Sequence, residues 1–192
     1  MSLGFYVDME RCIGCRTCQV ACKDRHNLQV AGPRPRRVDS FESGTYPEVG
    51  MFHVVMSCNH CENPACTAAC PTGAMYKSAD GTVLHDDEKC IRCQACVMAC
   101  PYGAPQYVKI DDLILKCDAC GALRAAGKNP TCVDACPMRA LDFGEMDELV
   151  QKYGEGLVSE LPCIEPAATT NPNLLIKASP AALSEEFNAI VL

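Results

Sequence analysis

Cys90-Ile91-Arg92-Cys93-Gln94-Ala95-Cys96-Val97-Met98-Ala99-Cys100-Pro101 is the stretch that decides how this chain is read. Its Cys-x2-Cys-x2-Cys-x3-Cys spacing recurs unchanged at Cys12, Cys15, Cys18 and Cys22. Two more quartets keep the outer spacings and lengthen only the middle gap, to x4 in Cys58, Cys61, Cys66 and Cys70 and to x11 in Cys117, Cys120, Cys132 and Cys136. Proline follows the last cysteine at Pro71, Pro101 and Pro137, with Lys23 the exception. The four quartets account for all but one of the 17 cysteines in 192 residues, the one left over being Cys163.

That spacing carries a specific chemistry. Three thiolates on a tight Cys-x2-Cys-x2-Cys loop wrap one side of an iron–sulfur cubane. A fourth, three residues on and followed by proline, is carried off by a helix to the neighbouring cluster, as in two-cluster bacterial ferredoxins. Soft thiolate ligands select iron–sulfur clusters or zinc over hard cations. Zinc sites normally separate their Cys-x2-Cys pairs by a dozen or more residues, and only the stretch from Cys117 to Cys136, with eleven between its pairs, would pass as a zinc knuckle on spacing alone. A zinc-stabilised scaffold is therefore the alternative from another class, and iron and acid-labile sulfide content separates the two.

Composition narrows the field further. Five Phe, six Tyr and no Trp give few large apolar side chains, so coordination or covalent links must help hold the fold. An odd cysteine count and an opening Met-Ser-Leu-Gly-Phe-Tyr-Val-Asp without basic and apolar leader regions argue against a secreted disulfide scaffold. Lys and Arg number 17 against 24 Asp and Glu, a formal net charge of -7, which disfavours nucleic acid as a partner. No apolar run approaches the roughly 18 residues of a membrane helix, so no direct membrane span is expected. Arg36-Arg37-Val38-Asp39-Ser40-Phe41 faintly resembles a twin-arginine export signal, but it is internal and nothing apolar follows it.

Between the quartets, short strands are expected at 4–7, 52–56, 82–85, 113–115 and 140–143, with short helices starting near the last cysteine of each quartet. Residues 34–50 read as a long irregular loop, and Asp147 to Tyr153 as a final helix stopped by Gly154. Beyond it, Pro162, Pro166, Pro172 and Pro180 punctuate an extended tail that would lie against a partner. Residues 75–84 look like a hairpin that joins quartets two and three into one compact ferredoxin unit, with quartets one and four pairing around it. The stretch from Pro101 to Lys116 looks like a second hairpin, so spacing alone also allows quartets three and four to pair.

At Ser57-Cys58-Asn59-His60-Cys61-Glu62-Asn63-Pro64-Ala65-Cys66, at Cys100-Pro101-Tyr102-Gly103-Ala104-Pro105-Gln106-Tyr107 and at Ala140-Leu141-Asp142-Phe143-Gly144, the chain resembles the iron–sulfur subunit of the dimethyl sulfoxide reductase family of molybdopterin oxidoreductases. The likeness runs nearly the whole length and extends to Asn171-Pro172-Asn173-Leu174-Leu175-Ile176-Lys177. It implies an α+β fold of two ferredoxin-like units, each binding two 4Fe–4S clusters, the second (51–109) inserted into the first (1–50 and 110–154), with an extended C-terminal tail (155–192). By the family's ligand exchange, Cys12, Cys15, Cys18 and Cys136 hold one cluster, and Cys117, Cys120, Cys132 and Cys22 its neighbour. The inserted unit pairs likewise: Cys58, Cys61 and Cys66 with Cys100, and Cys90, Cys93 and Cys96 with Cys70.

Related nitrate reductase subunits carry Trp at the position of Cys93 and hold a three-iron cluster there, so Cys93 implies four 4Fe–4S clusters. The resemblance further implies a non-catalytic electron-transfer subunit. Its partners are a quinol-oxidising integral membrane anchor and a molybdopterin-containing catalytic subunit that reduces a dimethyl sulfoxide-like acceptor. The complex would lie on the outer face of the cytoplasmic membrane, with the cytoplasmic face as the alternative. The runner-up is the polyferredoxin-like subunit of a formate dehydrogenase or hydrogenase. Residues 28–50 look least like the family, and they are a region expected to meet the catalytic subunit.

Among the remaining residues, Arg11, Arg16, Lys23, Lys89, Arg92 and Lys116 flank the ligands and either raise cluster potentials or are ordinary solvated charges. Tyr76, Tyr102 and Tyr107 are read as packing over the clusters, His60 as a hydrogen-bonded loop histidine, and Cys163 as a small buried thiol. No Gly-rich phosphate loop or Ser-His-Asp set stands out, and no catalytic residue is assigned.

Overall fold

Strand, cysteine loop and helix follow one another along the chain, and the strands exist mainly to aim the loops. The computed structural model describes residues 2–190. It orders β1 (Leu3–Asp8), α1 (Thr17–Arg25), β2 (Arg37–Ser43), β3 (Gly50–Met56), α2 (Ala65–Ala68), β4 (Met75–Lys77), β5 (Val83–His85), α3 (Ala95–Ala99), β6 (Gln106–Val108), β7 (Leu113–Leu115), α4 (Gly121–Ala125), α5 (Thr131–Asp134), β8 (Leu141–Glu145), α6 (Met146–Tyr153), β9 (Leu174–Lys177) and β10 (Phe187–Ile190).

One three-stranded sheet has the order β8-β1-β9, with β1 antiparallel to β8 (Phe5 opposite Phe143) and parallel to β9 (Phe5 opposite Leu174). Because side chains alternate across a strand, β1 serves two cores. Phe5 and Val7 enter the large core together with Val38, Phe52 and many of the cysteines, whereas Tyr6 packs with Leu149 of α6 and Leu175 of β9. The Tyr6 ring lies parallel to that of Tyr153 at 3.6 Å. A Cβ on Gly4 would collide with the backbone of Asn173, so only glycine lets the chain entering β9 come this close.

A second sheet, β10-β2-β3, corrects the expectation of an irregular loop over 34–50. β2 pairs with β3 through seven positions, from Arg37 opposite Met56 to Ser43 opposite Gly50, and Phe41 stacks on Phe52 at 5.4 Å. The polar alternation of Arg37-Val38-Asp39-Ser40-Phe41 hides the strand, because the side that buries Val38 also buries Ser40 in place of a second large apolar residue.

Both expected hairpins form, β4 with β5 and β6 with β7. The final helix lies within one residue of its expected limits. The helices near the quartets, however, start beside the third cysteine, not the last. α1, α2, α3 and α5 enclose Cys18, Cys66, Cys96 and Cys132, and Cys70, Cys100 and Cys136 lie just past the ends of α2, α3 and α5. The third cysteine must turn inward as the loop closes, so the helical turn begins there and delivers the fourth about one turn further on.

The segment beyond α6, expected as a tail against a partner, is built into this chain's own sheets through β9 and β10. Just ahead of β9 it grips the quartet-two loop. Backbone bonds run from Glu62 N to Asn171 O at 2.8 Å, from Asn63 N to Thr170 O at 3.0 Å and from Asn173 N to Asn59 O at 3.0 Å. Among the described residues no helix is long and apolar enough to cross a membrane.

Candidate metal centres

Each quartet opens with the same backbone device. The second residue between the first two cysteines has a left-handed φ in all four: Gly14 at 66°, His60 at 45°, Arg92 at 58° and Ala119 at 52°. Three of these are L-residues with a side chain, for which that conformation costs ~1–2 kcal/mol each. The fold holds them there because the reversal curls successive N–H groups toward the inside of the loop, a geometry suited to a negatively charged group. Amides do reach sulfur: Arg92 N donates to Cys90 Sγ at 3.4 Å, Ala119 N to Cys117 Sγ at 3.4 Å, Met75 N to Cys70 Sγ at 3.4 Å and Ala140 N to Cys136 Sγ at 3.3 Å.

The sulfurs gather around three cavities. One is lined by Cys58, Cys61, Cys66 and Cys100 with Val83, Tyr102 and Pro105. Another is lined by Cys12, Cys15, Cys18 and Cys136 with Ile13, Val38 and Val55. The third is lined by Cys70, Cys90, Cys93 and Cys96 with Met75, Ile91 and Ile114. In every case three cysteines come from one quartet and the fourth is the last cysteine of another. The remaining four, Cys22, Cys117, Cys120 and Cys132, are all buried, and Cys117, Cys132 and Cys120 are the thiols whose charges bear on Cys22. Among the described residues, no three His, Cys, Asp or Glu side chains close on a single point as the ligands of one ion would.

Burial governs the state of these thiols. Desolvation pushes Cys18 up to about 11, Cys61 up to about 11 and Cys66 up to about 12, and it raises Cys22 further still. Without metal these four are neutral at pH 7, and ligation must release their protons. At the exposed Cys15 the hydrogen bond from Thr17 Oγ1, at 3.3 Å, lowers the thiol instead. Four thiols, apolar walls and inward amides fit a cubane of iron and sulfide, which is bulkier than one ion and is stabilised by N–H groups bonding to its sulfurs.

The other expected residues divide sharply. Lys116 is buried, with its Nζ donating to Cys117 O at 2.7 Å and standing 3.7 Å from Cys58 Sγ. Arg11, Lys89 and Arg92 pair instead with Asp8, Asp86, and Asp87 and Asp112, while Lys23 caps the carbonyls of Val30 and Pro33. Tyr102 lines a cavity; Tyr76 is 40% exposed and Tyr107 bonds Asp112, so neither serves as the expected cover. His60 is fully buried and hydrogen-bonded, its Nδ1 accepting from Val83 N at 3.0 Å. Cys163 is only half-buried and lines an open groove with Pro162 and Ile164.

Two residues escaped the sequence reading. Thr170 is 1% exposed and sets its Oγ1 3.3 Å from Cys61 Sγ, although no sequence signal links it to a quartet 109 positions away. Arg36 is also 1% exposed. It directly precedes β2, in step with the buried Val38 and Ser40, and its charge hid it from a reading that places arginine at the surface.

Comparison with known proteins agrees with this geometry. The 4Fe-4S dicluster domain family matches residues 49–146, and the 4Fe-4S binding domain family matches residues 3–24. The chain is similar to the probable anaerobic dimethyl sulfoxide reductase subunit YnfG of Escherichia coli (strain K12), 46% identical over 185 residues that cover 91% of this chain and 87% of that one. It is equally similar to the B subunit of the anaerobic dimethyl sulfoxide reductase of the same organism, 46% identical over 183 residues with the same coverage. Likeness to the formate dehydrogenase iron-sulfur subunit of Wolinella succinogenes also reaches 46% but covers 55% of this chain and 51% of that one. The repeated cysteine loops, the cavities they line and the near full-length identity lead to one conclusion: the chain belongs to the family of 4Fe–4S iron–sulfur subunits of anaerobic dimethyl sulfoxide reductases.

Proposed function

We propose that the chain is a four-centre electron relay. It joins a quinol-oxidising integral membrane anchor to a molybdopterin-containing catalytic subunit that reduces a dimethyl sulfoxide-like acceptor. In this reading Cys12, Cys15, Cys18 and Cys136 hold one 4Fe–4S cluster and Cys22, Cys117, Cys120 and Cys132 its neighbour. Cys58, Cys61, Cys66 and Cys100 hold a third, and Cys70, Cys90, Cys93 and Cys96 a fourth. The ligand sets divide the protein into a ferredoxin-like unit of residues 1–50 and 110–154 and an inserted unit of residues 51–109. The observation that carries the reading is the exchange of the last cysteine between quartets around each cavity.

When bound, such clusters supply one-electron oxidation and reduction with no transfer of atoms. The chain's own residues hold, insulate and expose. Apolar walls keep water from the sulfurs, and amide and hydroxyl donors stabilise the added negative charge. Cys15 and Cys93 are the two exposed cysteines among the described residues, and they mark where redox groups of partner chains would approach. Exposed Ile13 and Met138 line the same cavity as the first, and exposed Ile91 the same cavity as the second, as apolar contacts for those partners. Location follows the partners: the outer face of the cytoplasmic membrane, with the chain held there by the anchor.

Anaerobic purification of the complex, followed by iron, sulfide and zinc analysis and dithionite reduction monitored by electron paramagnetic resonance, tests the reading. The expected result is iron and sulfide in equal amounts filling all sixteen ligand positions, with signals from interacting reduced centres. Zinc without sulfide, or a colourless protein silent after reduction, overturns it.

A further inference from the structure

The two adjacent arginines that mimic an export signal point in opposite directions. Arg37 turns outward, its Nε 3.0 Å from Asp39 Oδ2 and its Nη2 donating to Tyr102 O at 2.8 Å. Arg36 turns inward and is the largest of the fully buried side chains. Its guanidinium lies 4.2 Å from the centre of the Phe5 ring. Its Nε and Nη2 have no hydrogen-bond partner among the described residues, and none of the ion pairs there includes it. A guanidinium stays protonated in any protein environment, so this is a permanent buried cation without a carboxylate. Left uncompensated, such a charge destabilises the fold, and a ring face at 4.2 Å offsets only part of that cost.

β2 is tied to α1 by the bond from Val38 N to Gln19 Oε1 at 3.1 Å, which sets Arg36 against the helix that carries Cys18 and Cys22. The cysteines placed to act on the buried guanidinium are Cys132, Cys117, Cys18 and Cys22, which carry negative charge once they ligate metal. Cys18 belongs to one proposed ligand set and the other three to its neighbour, so the cation faces both. Lys116, the other buried cation beside a cysteine, faces Cys58 and spends its donors on Val83 O and Cys117 O.

We propose that Arg36 is the shared counter-charge of the two centres built from quartets one and four, raising the reduction potential of both while the centres of the inserted unit lie outside its reach. The proposal rests on the ligand sets given above. Reduction adds one electron to a centre whose thiolates and sulfides already carry excess negative charge, and Arg36 stabilises that more negative form. The guanidinium neither gains nor loses a proton in the process, so its contribution is independent of pH.

The test is a potentiometric titration of the assembled complex, followed by electron paramagnetic resonance, with the wild-type chain, Arg36→Met and Arg36→Lys. Centres are assigned by the signals missing from Cys12→Ser and Cys117→Ser chains. Arg36→Met keeps length and removes charge, and is expected to lower the reduced-to-oxidised ratio of these two centres at least tenfold at a fixed potential, about 59 mV for a one-electron couple. The same displacement is expected at pH 6 and pH 8, with the other centres unmoved. Arg36→Lys restores the charge and should bring both ratios back to within about threefold of wild type.

Loaded Arg36→Met complex with unmoved potentials overturns the proposal, as does an equal shift of every centre. If the Arg36→Met chain fails to retain iron, Arg36→Lys decides: iron retained with near wild-type potentials supports the charge, and loss of iron or displaced potentials in that chain overturns it. A wild-type complex that itself lacks iron and sulfide refutes the relay reading, whatever Arg36 does.

Discussion

Replacing Thr170 by Val tests a single hydroxyl at a proposed ligand. Thr170 Oγ1 is 3.3 Å from Cys61 Sγ and 3.1 Å from Tyr102 Oη, and both side chains are buried, at 1% and 4% exposure. With one proton to give, Oγ1 donates to the sulfur and accepts from the tyrosine. A hydrogen bond to a charged acceptor is worth ~1.5–3 kcal/mol. Only the part that strengthens when an electron arrives moves a potential, and taking roughly a third of that range gives about 0.7 kcal/mol, or about 30 mV for one electron. The sign is downward, because the lost donor had favoured the more negative, reduced form.

Valine nearly conserves volume, so the second effect is also electrostatic: the Tyr102 hydroxyl loses its partner in a buried site, at about 1–3 kcal/mol of stability. For a chain of this length that lowers the melting temperature by ~2–4 °C per kcal/mol. A redox titration followed by electron paramagnetic resonance and a thermal melt of the same preparation read both consequences. A potential that stays put or rises at the centre involving Cys61, in protein that retains its iron, refutes the reasoning.

Three further outcomes follow from the same geometry. Cys93→Trp removes one thiol from the cavity that also holds Cys70, Cys90 and Cys96, so the chain should lose one iron and gain a three-iron signal in the oxidised state; unchanged iron content would count against that ligand set. Gly4→Ala forces a Cβ against the Asn173 backbone and should destabilise the chain by ~1–3 kcal/mol in denaturant titrations, with the register of β9 disturbed in hydrogen exchange. Burial opposes ionisation of Asp80, but hydrogen bonds from Ser78, Thr82 and Arg124 outweigh it and hold this carboxyl well below the usual range. Its stabilisation is therefore complete above the ordinary carboxylate pKa and lost as pH falls through the lower folded value. Asp80→Asn should flatten the acid limb of the stability profile, and a limb identical to wild type would refute the assignment.

The cysteine quartets were legible from spacing alone, because their repeat, with only the middle gap lengthened in two of them, is visible without any fold. The hairpins at 75–85 and 106–115 were legible for a related reason, since short apolar runs between turn formers have one local solution. β2 was not legible. Arg36 directly precedes it, in step with the buried Val38 and Ser40, and a buried arginine defeats any rule that reads charge as surface. The placement of β9 and β10 was equally hidden, because strands that pair with β1 and β2 across more than a hundred residues leave no local pattern. Thr170 belongs with them, as it reaches Cys61 only because that segment folds back. Of the basic residues beside cysteines, Lys89 and Arg92 find carboxylates, as solvated charges do, whereas Lys116 turns inward to 3.7 Å from Cys58 Sγ, a distinction that sequence adjacency does not carry.

β1 lies between two strands made long after it, β8 at 141–145 and β9 at 174–177. A nascent chain that has left the ribosome through residue 109 carries all of quartets two and three, but the cavities they line still lack Ile114 and Thr170, and β1 still has two bare edges. The sheet around β1 therefore closes only once synthesis is nearly finished. A polypeptide stopped before residue 174 would keep one backbone edge of β1 open, a template on which a second unfinished chain could add itself and precipitate both.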